Sequence, residues 1–324
     1  MILVTGASGF VGGHVARALV QAGAAVRVLL RNTSLTESLH GLNAERCYGD
    51  LRDPGSLRYA VTGCEQVFHV AADYRLWVPN PQVMYAVNVD GTANLLDAAA
   101  EAGVKRIVYT STVGCMGWPR DGGPANEDTP VSVDHMTGHY KRSKFLAEQA
   151  ALERARRGVP IVIVNPTAPV GEGDWKPTPT GQIILDFIHG RMPAYLDTGL
   201  NLVDVRAVAA GHLAAAERGR IGERYLLGDR NMEFREILEV LGRIAGRRPP
   251  RLRIPWVVAY VAALAESAVA RVTGRVPRAP LEAVRLARHK MFIASDKAQR
   301  ELGYQPGNVE EALERAVRYF EVFH

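Results

Sequence analysis

MILVTGASGFVG, Met1–Gly12, decides how the rest of the chain is read. Ile2–Val4 are apolar enough for a short buried strand. The chain then turns through Thr5–Gly12, and Val11, Val15, Ala18 and Leu19 recur at helical spacing. In this strand–turn–helix setting Gly6 permits the tight turn, Gly9 lets backbone amides approach a pyrophosphate, and Gly12 lets the helix pack close to the strand. The helix N-terminus aims free N–H groups and a partial positive charge at the phosphates. The stretch therefore nominates Gly6, Ser8, Gly9, Phe10, Val11 and Gly12 as binders of a dinucleotide.

Working outward, Ala25–Leu30 reads as the second strand of a βαβ unit, ending in Arg31. An acidic residue there would take the ribose 2′-OH of NAD; an arginine can pair with a 2′-phosphate, so Arg31 favours NADP. Glu45–Tyr48 is a third strand, followed by Gly49-Asp50-Leu51 at the edge where such a sheet binds ligand. Asp50 is placed to accept from the adenine amino group, with Leu51 beside it. Gln66–Ala72 is a fourth strand, and its small last residues, Ala71 and Ala72, let a cofactor lie against the backbone. The Asp73–Trp77 loop follows at the same edge, within reach of substrate. Tyr85–Ala102 is helical; Asn88 interrupts its apolar face, either to orient groups at the site or to bond a neighbouring carbonyl.

Arg106–Thr112 is the fifth strand and delivers Thr112 to the ligand edge. Tyr140 and Lys144 open the helix that follows, four residues apart and so on one face. A tyrosine is a poor acid–base catalyst near neutral pH unless a nearby ammonium favours the phenolate, and the Thr112 hydroxyl can bind the same substrate oxygen. Pro160–Asn165 is the sixth strand, and the stiff Asn165–Gly171 stretch brings Pro166 and Thr167 to wall the nicotinamide. Beyond it the chain breaks into short helices and strands.

A chain of 324 residues, 47% hydrophobic and 23% charged, reads as globular and soluble. No apolar run reaches the roughly 18 residues of a membrane span, and a core strand at the start leaves no room for a signal peptide. Three separated cysteines suggest neither a disulfide framework nor a zinc site, which fits a cytoplasmic location. The nine histidines lack ligand spacing, so no metal is expected. The net charge of +5 is concentrated: Arg243–Lys290 holds ten arginines and one lysine against Glu266 and Glu282. Within it Pro255–Ala265 is apolar on every side, flanked by Arg251, Arg253, Arg271 and Arg275. The segment reads as a helix buried in the second domain or in a dimer contact, or as a peripheral contact of residues 251–275 with an anionic membrane. Aromatic–basic interleaving is absent, so nucleic acid is not an expected partner.

Together, TGASGFVG, GDL, HVAA, NVDGTANLL, YTST, YKRSK and NPTAPVG make the chain resemble the extended short-chain dehydrogenase/reductases over nearly its whole length. The resemblance implies an α/β fold: a Rossmann doubly wound parallel sheet with a smaller, discontinuous C-terminal substrate domain. Residues 1–170, with 200–222 returning, would form the first, and 171–324 mainly the second. It also implies a catalytic group carried over as Thr112, Tyr140 and Lys144, with Lys144 also holding the ribose. NPTAPVG and Arg31 look like the dihydroflavonol-reductase branch. Gly222–Leu238 and Arg278–Phe292 look like the bacterial hopanoid-associated sugar epimerase subgroup. Departures narrow this. Val113-Gly114 replaces the Asp-Glu pair of sugar-nucleotide dehydratases. Leu200-Asn201 replaces the Arg-Asp pair of nucleotide-sugar epimerases. Gly117 stands where flavonoid reductases hold substrate with asparagine. The expectation is an NADP-dependent oxidoreductase acting on a secondary alcohol or ketone of unspecified frame. The alternatives are an epimerase with tightly bound NAD(P) and a non-catalytic cofactor sensor, which would have no need of the three catalytic residues.

Overall fold

The computed structural model describes residues 1–119, 122–273, 277 and 280–324, the side chains of 271 and 272 excepted. Its first lobe alternates strands and helices: β1 (Ile2–Thr5), α1 (Phe10–Gln21), β2 (Val26–Leu30), β3 (Glu45–Tyr48), α2 (Pro54–Val61), β4 (Gln66–His69), α3 (Pro81–Tyr85), α4 (Gly91–Glu101), β5 (Arg106–Thr110), α5 (Gly138–Arg156) and β6 (Ile161–Pro166). Then come β7 (Ala168–Val170), α6 (Pro179–Ile188), β8 (Ala194–Tyr195), β9 (Gly199–Asp204), α7 (Val205–Arg218), β10 (Arg224–Leu227), β11 (Arg230–Glu233) and α8 (Phe234–Ala245). The chain ends with β12 (Leu252–Arg253), α9 (Trp256–Thr273), α10 (Leu281–Leu286), α11 (Asp296–Leu302) and α12 (Val309–Phe323).

Seven strands form one parallel sheet in the order β10-β6-β5-β4-β1-β2-β3. β6 is buried along its whole length, as a strand covered on both faces must be. Val15, Ala16 and Leu19 of α1 pack on one face with Ala207, Val208 and Ala215 of α7. Leu57 of α2, Leu95 and Leu96 of α4 and Ala147 and Ala151 of α5 cover the other. The returning stretch therefore supplies both α7 and, beyond residue 222, the edge strand β10, whose Tyr225 and Leu226 pair in register with Val164 and Asn165.

The second lobe is built on a three-stranded sheet, β11-β9-β7, with α6, α8 and α12 packed against it. Charge ties the lobes together. Arg315 of α12 reaches Glu172 at 2.9 Å and Asp204 at 2.6 Å, and Glu172 also takes Arg206 at 2.7 Å.

Several elements differ from their sequence-based bounds. The helix expected over Tyr85–Ala102 is interrupted by a π-helical turn at Ala86–Asp90, which turns the Asn88 side chain inward to 1% exposure. β5 ends at Thr110, and Thr112 caps a 3-10 turn over Val113–Cys115. The apolar Pro255–Ala265 segment is buried along one side only. Ala263 and Ala270 of α9 are covered, while Val257, Val258 and Val261 are 63%, 56% and 59% exposed. Of its flanking arginines, Arg275 and the side chain of Arg271 lie outside the described residues, as does Arg278.

Candidate active site

The crevice opens where the strand order reverses, between β1 and β4. The chain leaves β1 through Gly6 at φ +75°, and a Cβ there would stand 2.6 Å from the Ala71 amide nitrogen after β4. A Cβ on Gly12 would come within 2.2 Å of the Gly6 carbonyl oxygen. A Cβ on Gly9 would meet only that same oxygen, at 3.2 Å, and stays clear of the β4 edge. Gly9 caps α1 without a side-chain bond, and the first bond back to it comes from Gly13. The amides of Phe10, Val11 and Gly12 thus have no acceptor within the helix. This cradle fits a pyrophosphate, with open backbone at Gly9 and unspent donors behind it.

One cleft of about 1180 Å³ continues from this turn in both directions. At one end lie Arg31, Ser34, Asp50 and Leu51; Ala71, Ala72, Pro166 and Thr167 line its middle. Arg31 is exposed, and its amide donates to the Ser34 hydroxyl at 2.9 Å. Asp50 is already engaged: Arg52 donates to its two carboxylate oxygens at 2.9 and 2.7 Å and holds its carboxyl down at about 2. An adenine amino group would have to share that carboxylate. Asn88 does not line the cleft. Its Oδ1 accepts from the Asp73 amide at 2.7 Å, and its Nδ2 donates to the Asp73 carbonyl and the Ser143 hydroxyl, each at 2.9 Å. It braces the loop after β4 against α5, and its amide has no donor left for a cofactor. Asp73 in turn is paired with Arg75, and Trp77 faces a separate, smaller cavity.

Thr112, Tyr140 and Lys144 meet in the middle of the cleft. The Thr112 hydroxyl accepts from the Gly114 amide at 3.1 Å and lowers the Tyr140 pKa from its place beside the phenol. Asn165 donates to the Thr112 carbonyl at 3.1 Å and to buried Glu148 at 2.7 Å, which fastens this corner to β6. Lys144 is 2% exposed. Its Nζ donates to the Tyr109 hydroxyl at 2.9 Å and the Thr110 carbonyl at 2.8 Å.

The expected depression of the Tyr140 pKa by Lys144 is not what the structure contains. Burial pushes Tyr140 up to about 12, against the pull of Thr112, while burial drives Lys144 down to about 8. Two of the lysine's three donors go to Tyr109 and Thr110, and Tyr140 stays a neutral phenol, the form that gives a proton to a carbonyl. Tyr109 escaped the sequence reading. The available signal was the tyrosine of YTST, near the end of a strand that is otherwise aliphatic at Ile107 and Val108.

Past Tyr140 the cleft enters the second lobe, where Met192, Leu200, Phe234, Ile254, Ala263 and Met291 give it aliphatic and aromatic walls, with Thr198, Glu266 and His289 among them. α9 thus lends Ala259, Ala262 and Ala263 to the cleft while its valines face outward.

The comparisons agree with this architecture. The NAD dependent epimerase/dehydratase family matches residues 2–228. A protein of Synechocystis sp. named as a dihydroflavonol 4-reductase is 43% identical, covering 98% of this chain and 94% of its own length. Sterol demethylase protein B of Methylococcus capsulatus is 38% identical over 98% of this chain and 97% of its own. The crystal structure of gox2253 superposes with a TM-score of 0.89 at 48% identity, covering 99% of this chain and 98% of that one. The chain belongs to the NAD dependent epimerase/dehydratase family, within the extended short-chain dehydrogenase/reductases. It is an NAD(P)-dependent oxidoreductase or epimerase acting on a small molecule.

Proposed function

We propose that the protein is an NADP-dependent reductase of a ketone, or dehydrogenase of the matching secondary alcohol, carried on a bulky apolar frame. The observation that carries this reading is the single cleft that joins the glycine cradle to Tyr140 and then runs on between aliphatic walls. The nicotinamide supplies or receives the hydride when bound. Thr112 orients the substrate oxygen, Tyr140 gives or takes its proton, and Lys144 holds a positive charge beneath the site and donates to the cofactor ribose. Met192, Leu200, Phe234, Ile254, Ala263 and Met291 favour an apolar frame over a sugar, with Thr198, Glu266 and His289 as polar groups in the same cleft. A polycyclic lipid of the sterol or hopanoid type matches its size and chemistry. The test is turnover: NADPH oxidation with cyclic apolar ketones and free exchange of bound cofactor are expected. A cofactor that never exchanges, with no net oxidation of NADPH, would replace this reading by the epimerase one.

NADP is the proposed form because Arg31 stands at the end of β2 with its side chain exposed to the cleft. Arg31→Ala is expected to weaken NADPH binding about 10- to 100-fold, the worth of a charge-assisted bond to phosphate, and to leave NADH binding unchanged. Fluorescence titration of both cofactors measures this, and equal losses for the two would remove the 2′-phosphate role.

A lipid-borne substrate also gives the outer face of α9 a use. Val257, Val258, Val261, Leu264 and Val269 are about half exposed or more, Leu252 precedes them, and exposed Arg247, Arg248, Arg251 and Arg253 flank that end. Among the described residues no helix is long and apolar enough to cross a membrane. This face suits shallow contact with an anionic bilayer, where valines enter the interface and arginines meet headgroups. Flotation with phosphatidylglycerol vesicles at low salt should carry the protein upward, and Val258→Asp with Val261→Asp should release it. Wild-type protein left at the bottom of the gradient would end the membrane proposal.

A further inference from the structure

Lys141 stands beside the reacting centre and has no use in the chemistry described so far. It is 6% exposed, and its stem packs over Gly114, where a Cβ would lie 3.3 Å from the Lys141 Cγ. Its ammonium sits 5.2 Å from the centre of the Trp118 ring, and Trp118 is stacked on His289 at 5.0 Å. Lys141, Gly114 and His289 line the same cleft as Thr112 and Tyr140. Among the described residues no carboxylate pairs with this ammonium and no acceptor hydrogen bonds to it. Burial lowers its pKa to about 8, and the only group opposing that is the Cys115 thiol, itself pushed up to about 12 by burial. His289 is also held below its ordinary value, by burial first and then by Arg288 and Lys141, and an imidazole carries no negative charge in either form. A desolvated ammonium without a counter-ion is costly, and a cation–π contact offsets only part of that cost. The missing partner is one the cleft admits.

We propose that Lys141 binds a carboxylate of the substrate, close to the carbonyl served by Tyr140, so that acidic ketones and alcohols on an apolar frame are preferred to neutral ones. A carboxylate fits better than a phosphate, because one ammonium among aliphatic and aromatic walls balances a single charge and offers no second donor fork. The proposal deepens the reductase reading and rests on it only for the placing of the reacting carbonyl.

The probes are decanoate and decanamide, alike in length and shape and different in charge. Calorimetry at pH 7 on the protein loaded with NADP+ is expected to give decanoate at least about tenfold tighter binding. Lys141→Met should abolish the difference, and Lys141→Arg should keep most of it. Equal binding of the two probes to wild type, or a decanoate preference that survives Lys141→Met, would overturn the proposal. Repeating the pair without cofactor separates the readings. Failure to bind NADP+ strikes at the reductase, whereas the preference for decanoate reports on Lys141 in either state.

Discussion

Tyr140→Phe is expected to lower ketone reduction by about three orders of magnitude, the worth of a positioned general acid, while leaving NADPH affinity within a factor of two or so. The phenol lines the cleft beside Thr112 and stays protonated. Removing its oxygen leaves the ring, and hence the packing of α5, in place. The pH profile follows from the two shifts. Tyr140, raised to about 12, stays protonated through the working range; Lys144, lowered to about 8, is charged below that value and neutral above it. The reduction rate should therefore be level from about pH 6 to 7.5 and fall as pH rises through about 8, as the positive charge under the site is lost. Stopped-flow rates at saturating substrate test both parts. Full turnover in Tyr140→Phe would remove Tyr140 from the chemistry, and a rate that climbs steadily above pH 8 would assign the proton transfer to another group.

Gly12→Ala carries the second large effect. The added methyl would lie 2.2 Å from the Gly6 carbonyl oxygen and 2.6 Å from its carbon, both backbone atoms that cannot swing aside. α1 must then shift away from the β1 turn. Overpacking of this kind costs about 3 kcal/mol, and the displaced N-terminus no longer presents the amides of Phe10, Val11 and Gly12 together. Urea unfolding should show the loss of stability. NADPH binding to the folded fraction should fall more than tenfold. A variant with wild-type stability and affinity would show that the close approach of helix to turn is dispensable.

Much of the site was legible because its signals are local. The glycine turn is a run of eight residues, and the close approaches of Gly9 and Gly12 lie within it, while that of Gly6 is to Ala71 after β4. Tyr140 and Lys144 are one helical turn apart, so their common face follows from the 3.6-residue period alone. Arg31 needed only the end of a strand. Asp50 and Asn88 show where local reading stops. Each lies where the sequence suggests, but Arg52 occupies the first and Asp73 with Ser143 the second. A polar side chain is claimed by whichever partner arrives first in space, and for Asn88 those partners lie 15 and 55 residues away.

By itself, then, the sequence determined the α/β class and the first six strands along the chain, and it nominated the dinucleotide turn and the trio Thr112, Tyr140 and Lys144, all from periodicity and short spacing. Only the tertiary structure decided that β10 closes the sheet beside β6, that Lys144 is held by Tyr109 and Thr110, that Lys141 meets no counter-ion among the described residues, and that α9 hides one side and shows its valines on the other. The physical reason is common to all four. Hydrophobic pattern records that a residue prefers cover, and charge records that it prefers a partner, but which surface or group supplies these is set by contacts between segments far apart in the chain.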